Sequence, residues 1–263
     1  MAMAAKDGMT GTNVAGWDRT RLASPHTQQD KAARVRRMFD AIAPTYELIN
    51  SLASAGRDSF WRREMVRLAG VQPDDVLLDI ACGTGDVARV FSCDADGPNQ
   101  IIGVDFSWQM LWHAKGRPIA GGTFCQGDAL RLPVADGRVS IVSCAFGIRN
   151  FQDLEAGLRE MARVLQPNGR AVILEFSLPR QPVLRRLYLL YFNCLMPILG
   201  TLISRDRTGA YRYLPKSVVS FLGHDEIATS LKSAGFGHVR AHRRSLGIVT
   251  IYVAVKKDLS AVV

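Results

Sequence analysis

The sequence predicts a doubly wound α/β fold with a mostly parallel sheet, on three observations. Apolar runs at 76–81, 100–104, 123–126, 139–145 and 170–176 alternate with helix-like segments, the rhythm of βαβ units whose sheet is covered on both faces. The stretch LLDIACGTGDVA (77–88) passes from an apolar run straight into Gly83-Thr84-Gly85, the strand, glycine turn and helix with which α/β proteins hold a nucleotide. Two late runs, 237–242 and 247–255, are close enough to be antiparallel neighbours at the sheet edge.

Residues 1–30 are rich in Gly, Ala, Thr, Ser, Gln and Asp without a period. They are expected to form a mobile leader that adds little to the core, with the folded domain spanning 31–263. From Lys31 the pattern turns helical, with Val35, Met38, Phe39 and Ile42 at steps of three and four. FWRREMVRLAG (60–70) predicts a second helix ending at Gly70. LEAGLREMARVL (154–165) predicts another, and PNGR (167–170) a turn into the next strand. The rhythm breaks over 178–216, a lid-like insert, and resumes with a helix over 224–236.

A chain of 263 residues with 48% hydrophobic and 22% charged residues is long enough for a sizeable core. Five scattered cysteines with no C-x-x-C spacing argue against a disulfide framework or a zinc site. Nor do His113, His224, His238 and His242 show metal-ligand spacing, so no metal is expected. The N-terminus has no apolar segment of signal-peptide length, and the chain is expected to be cytoplasmic. The net charge of +9 suits nucleic acid, an anionic membrane or an acidic small molecule, and does not choose among them.

LYLLYFNCLMPILGTLI (187–203) is the most apolar stretch. As a straight helix it would span roughly 26 Å, short of the ~30 Å hydrocarbon core, and Asn193, Pro197 and Gly200 interrupt it. A broken, surface-lying segment is the expectation. Between Arg180 and Lys216 seven basic residues (Arg180, Arg185, Arg186, Arg205, Arg207, Arg212, Lys216) face one acid, Asp206, a local net of +6. Because that charge brackets an apolar segment rather than a stripe of aromatics, weak peripheral contact with an anionic membrane is favoured over nucleic acid. A packed lid helix with solvated basic ends is the competing reading.

Two nucleotides compete for the glycine turn. Gly83-Thr84-Gly85 followed by Ala88 satisfies G-x-G-x-x-A, and Asp105 ends the second strand about twenty residues on, as in dinucleotide sites. Asp79 and Asp86, however, place carboxylates where a pyrophosphate would dock. S-adenosylmethionine (SAM) carries an ammonium, a sulfonium, a ribose diol and no phosphate, and matches those charges better.

VLLDIACGTGD (76–86) resembles the first motif of the class I SAM-dependent methyltransferases. VRRMFDAIAPTYELIN (35–50), FGIRNFQDLEAGLREMARVLQPNGRAVILEFSLP (146–179), YRYLPKSVVSF (211–221) and GIVTIYVAVKK (247–257) resemble, in the same order, the ubiquinone/menaquinone biosynthesis C-methyltransferases. The resemblance covers about 34–257. It implies a Rossmann-like fold with a seven-stranded sheet, an antiparallel last strand, N-terminal helices and a helical lid. It implies SAM as cofactor and a prenylated quinol as acceptor. The reaction would be C-methylation of demethylmenaquinol, with a methoxy-polyprenyl-benzoquinol as the alternative; a non-catalytic binding protein on the same scaffold is the competing class. The oligomeric state stays open, a homodimer included, as does contact with the inner face of the membrane.

For the cofactor, Asp105 is the expected acceptor for both ribose hydroxyls. Gly83 and Gly85 let the backbone approach, and Thr84 offers a hydroxyl and an amide. By resemblance Asp128 and Ala129 sit beside adenine, while Asp79 orders the turn or meets the methionine ammonium. Family members often carry Ser where this chain has Ala145, and Asp where it has Glu47. On the acceptor side, Arg149 is the leading candidate to stabilise a quinolate, with Asn150 adding a hydrogen bond and Tyr46 closing over the site.

Overall fold

The computed structural model describes residues 16–54, 56–94, 96–195 and 208–258. Seven strands form one sheet in the order β3-β2-β1-β4-β5-β7-β6: β1 Val76–Ile80, β2 Gln100–Asp105, β3 Gly122–Gln126, β4 Val139–Ala145, β5 Leu165–Phe176, β6 Phe236–Arg244 and β7 Val249–Lys256. β1 to β5 pair in parallel. β7 is antiparallel to both β5 and β6, so the last strand slots inside the sheet and β6 takes the edge.

The helices are α1 Arg19–Ala23, α2 Lys31–Ile42, α3 Tyr46–Ala53, α4 Arg57–Ala69, α5 Asp86–Ser92, α6 Trp108–Lys115, α7 Leu154–Val164 and α8 Pro182–Leu190. α9 Ala210–Val219 begins within the insert, and α10 His224–Ser233 follows it. Central strands read as unbroken apolar runs because both faces are covered. Leu78, Ile80 and Val142 pack with Leu158 and Met161 of α7 and Leu231 of α10, while Leu77, Ile141 and Val172 pack with Trp61 and Met65 of α4 and Phe91 of α5. Gly70 ends α4 at φ 60°, a left-handed position that glycine adopts without steric cost.

PNGR is both turn and strand. Leu165 pairs with Val139 and Arg170 with Ile141, so 166–169 bulge out of the ladder with Asn168 at φ 61°.

A third cluster, made of Trp17, Met38, Tyr188, Phe192, Tyr211 and Tyr213, lies above the carboxyl ends of the strands. It corrects the reading of residues 1–30 as a leader apart from the core. Trp17 is 2% exposed and stacks on Tyr213 of α9 at 4.3 Å between ring centroids, and its backbone N–H donates to Thr208 O. One indole with no periodic neighbours leaves little trace in a hydropathy pattern, so the anchor was illegible. The remainder of that leader, 1–15, lies outside the described residues, as do Pro197, Gly200, Arg205, Asp206 and Arg207 of the insert. The insert's described parts are α8 followed by a π-helical turn, Tyr191–Leu195, and the first residues of α9. Among the described residues no helix is long and apolar enough to cross a membrane.

Candidate active site

Two cavities open above the carboxyl ends of the parallel strands, where doubly wound sheets hold ligands. The first encloses about 740 Å³ and is lined by Gly83, Asp105, Met110, Asp128, Ala129 and Asn150, among others. The second, about 1290 Å³, is lined by Asp58, Arg62, Arg149, Phe176, Tyr188 and Tyr213, among others. Phe39, Tyr46 and Phe146 line both, so the cavities share a wall.

The floor of the first cavity is a backbone construction. After β1 the chain turns through Ala81, Gly83 and Gly85, all at positive φ. A side chain at Gly83 would meet only Tyr46, at 3.9 Å, so this backbone faces open space beside the cavity. Asp105, 5% exposed, ties the turn to β2: Oδ2 accepts the Gly83 N–H at 2.8 Å and Oδ1 accepts the Ser107 N–H at 2.8 Å. Each oxygen keeps lone-pair capacity for a further donor. Burial raises the carboxyl to about 6.

Asp128 accepts the Leu130 N–H at 2.9 Å through Oδ1, so a turn cap and a cavity-wall position coexist in one side chain. Asp79 and Thr84 are buried and, with Gly85, are not among the cavity-lining residues. The Thr84 hydroxyl has no partner among the described residues. Asp79 sits on β1 in register with Ser143 of β4, whose hydroxyl donates to its Oδ1 at 2.6 Å. Oδ2 is buried without a partner among the described residues. Burial and the nearby Asp105 charge raise Asp79 to about 7, although the Ser143 bond opposes them.

Asp86 offers no free charge to weigh against a phosphate. Arg89 meets Asp86 at 2.7 Å and Arg62 at 3.4 Å, so its carboxylate is already neutralised. Glu47 likewise pairs with Arg117 and, at 3.8 Å, with Arg89, and it lines neither cavity.

Arg149 reaches the second cavity, but not as a free cation. Its Nη1 donates to Glu175 Oε1 at 2.6 Å and to Phe146 O at 2.7 Å, and its guanidinium carbon lies 5.4 Å from the Phe176 ring centroid. Nε is buried with no partner among the described residues. Glu175 is 1% exposed and was assigned no role from sequence. Its signal is an acid at the end of the apolar run AVILEF, because a buried carboxylate needs a cation. Asn150 Oδ1 accepts the Tyr213 hydroxyl at 3.0 Å and Nδ2 donates to Phe146 O at 3.2 Å. Both ends of that amide therefore hold the loop. Tyr46 is held above the ordinary phenol range by burial, so at neutral pH it is a donor. The second cavity also carries an ion pair that sequence reasoning missed, Asp58 with Arg62 four residues on, and the Ser54 hydroxyl donates to Asp58 at 3.0 Å. Among the described residues, no group of three His, Cys, Asp or Glu side chains is placed to hold a metal.

Comparison with known proteins agrees with this geometry. Residues 27–256 match the model of the ubiE/COQ5 methyltransferase family. The "Ubiquinone/menaquinone biosynthesis C-methyltransferase UbiE" of Geotalea daltonii is 38% identical over 86% of this chain and 98% of its own length. The "Demethylmenaquinone methyltransferase" of Thermus thermophilus is 42% identical over 82% of this chain and 98% of its own. Among solved structures, a putative methyltransferase in complex with the Haloferax volcanii Trm112 activator superposes with a TM-score of 0.61 at 17% identity, covering 84% of this chain and 98% of that one, a likeness of fold. The chain is a member of the ubiE/COQ5 methyltransferase family and has the class I SAM-dependent methyltransferase fold.

Proposed function

We propose that this enzyme transfers a methyl group from SAM to a ring carbon of a prenylated quinol in respiratory quinone synthesis, with demethylmenaquinol as the acceptor. One observation carries the reading: a cleft with a ribose-type acid opens beside a larger, aromatic-walled cavity, and Tyr46 and Phe146 belong to both. The relatives' names support it: one is a C-methyltransferase of ubiquinone/menaquinone biosynthesis, the other a demethylmenaquinone methyltransferase.

The first cavity fits SAM on its donor set. Asp105 presents two part-satisfied oxygens to the ribose diol, and Asp128 presents its free oxygen to the adenine amine beside Ala129. Asp79, buried behind the cavity floor beside the lining residues Ile80 and Ala81, adds negative charge near the methionine ammonium without touching it. Gly83 keeps the floor low enough for close approach. When bound, SAM supplies a methyl group on a sulfonium, electrophilic without acid assistance.

The second cavity receives the ring. A quinol hydroxyl has a pKa near 10, and its ortho carbon becomes nucleophilic as the oxygen takes on phenolate charge. The Arg149 guanidinium, fixed by Glu175 in the cavity wall, places a positive charge beside this oxygen. Phe146, Phe176 and Tyr188 exclude water and align the ring. Asn150 holds the loop that carries Arg149.

The test is methyl transfer from labelled SAM to reduced short-chain naphthoquinol and benzoquinol acceptors. Label on a ring carbon of the naphthoquinol is the expected product. Turnover of the benzoquinol alone would move the acceptor to the ubiquinone branch, and transfer to neither would refute the reading.

A further inference from the structure

The roof of the acceptor cavity has two unlike faces. On α8, Tyr188 is buried and lines the cavity, joined by Tyr191 and Phe192 of the following turn. On the opposite side of the helix Val183, Leu187 and Leu190 are 64%, 59% and 62% exposed. Their spacing of four and three residues makes them one continuous stripe. A stripe of three large aliphatic side chains in water is a standing cost unless something covers it. Charge says what does. Between Ser177 and Leu195 there are three basic residues, Arg180, Arg185 and Arg186, and no acid, and all three arginines are exposed. An apolar stripe bordered by unopposed arginines fits a surface that is hydrocarbon beneath and anionic above.

We propose that α8 docks on an anionic lipid bilayer through Val183, Leu187 and Leu190, with Arg180 and Arg186 at the headgroups. This rests on the reading that the acceptor carries a polyprenyl tail. α8 then lies between two apolar media: its outer face is in the bilayer's interfacial zone and its inner face roofs the cavity. A quinol ring enters the cavity while its tail stays in the lipid, so the enzyme need not extract the whole molecule into water. Extraction would cost about 0.8 kcal/mol for each CH₂ moved, and a docked roof avoids it.

Sedimentation of the full chain with phosphatidylglycerol vesicles, phosphatidylcholine vesicles and no lipid tests this without any acceptor. Binding to phosphatidylglycerol at low salt, weakened at high salt and absent on phosphatidylcholine, is the expected result. Leu187→Ser/Leu190→Ser should weaken it about tenfold or more, and Arg180→Gln/Arg186→Gln about thirtyfold. Both variants should turn over a water-soluble, tail-less quinol like wild type but lose rate on a long-chain quinol embedded in vesicles. A failure of the quinol reading itself would instead abolish turnover of both acceptors while leaving vesicle binding intact. The proposal is overturned if wild type does not sediment with phosphatidylglycerol, or if the leucine variant sediments equally well. It is also overturned if light scattering shows a wild-type dimer that the leucine variant converts to monomer, which would make a second copy of this chain the cover of the stripe.

Discussion

The two cavities that meet at Tyr46 are built from different material. The first cavity has a floor of backbone and strand ends, a glycine turn after β1, an acid closing β2 and a short turn after β3, beneath Phe39, Tyr46 and the loop after β4. Its contributors lie within 83–129 for the residues that matter most, and their polar contacts are local or one strand apart. The acceptor cavity is mostly side chains, drawn from α2, α3, α4, the loop after β4, the end of β5, α8 and α9. Its polar wall is two buried ion pairs, Arg149–Glu175 and Arg62–Asp58. Backbone cavities need particular φ angles and tolerate side-chain change elsewhere, whereas a cavity walled by ion pairs depends on both members of each pair. One cavity floor is thus set by the shape of the chain and the other cavity's wall by charge placed among apolar side chains.

The largest effect that separates the two should come from breaking one ion pair. Arg149→Ala strands Glu175 as a buried unpaired charge, which costs about 3–5 kcal/mol of stability, readable in denaturant melts. Arg149→Met combined with Glu175→Gln should recover most of that loss, because neither charge is left behind. Methyl transfer in the double variant should still fall about a hundred- to a thousandfold, with SAM affinity by calorimetry unchanged. Equal loss of SAM affinity would erase the distinction between the cavities.

A smaller effect belongs to the cofactor side. Asp79 has its carboxyl raised to about 7 in the fold, above its ordinary value. Its contribution to stability is present at acid pH and is lost as pH rises through about 7, because the unfolded chain gives up that proton more readily. Asp79→Asn should therefore stabilise the SAM-free protein at pH 8 by roughly 2–4 kcal/mol, or roughly 5–10 °C in Tm, and by little at pH 4. It should also bind SAM more weakly, since the ammonium loses a nearby negative charge. A Tm difference that does not depend on pH would show that Asp79 is not the titrating group.

The smallest concerns the tie between lid and loop. Tyr213→Phe deletes the hydroxyl that donates to Asn150 Oδ1 and should cost about 1–2 kcal/mol in a denaturant melt, leaving SAM binding untouched.

The same contrast explains what could be read from the chain. Strand positions, the glycine turn and the placing of Gly83 and Asp105 at one cavity were legible, because buried parallel strands must be apolar and because the spacing from the glycines to the acid ending β2 is set by one βαβ unit. The acceptor cavity was legible only through resemblance. Arg149 could be singled out from its loop, but its partner Glu175 lies 26 residues on, and which side chains converge across such a separation is a property of the packed fold. Asp58 and Arg62 read as an ordinary surface pair on a helix, and only their burial shows otherwise. Trp17 was missed for the same reason: a small cluster assembled from distant single residues carries no period.

Initial rates against SAM concentration for Asp105→Ala test the division of labour most directly. Removing this carboxylate takes two charge-assisted hydrogen bonds from the ribose and leaves the acceptor cavity intact. KM for SAM should rise about tenfold or more, while kcat at saturating SAM stays within about threefold of wild type. A kcat that collapses while KM for SAM is unchanged would place Asp105 in the chemistry rather than in cofactor binding, and would contradict the account.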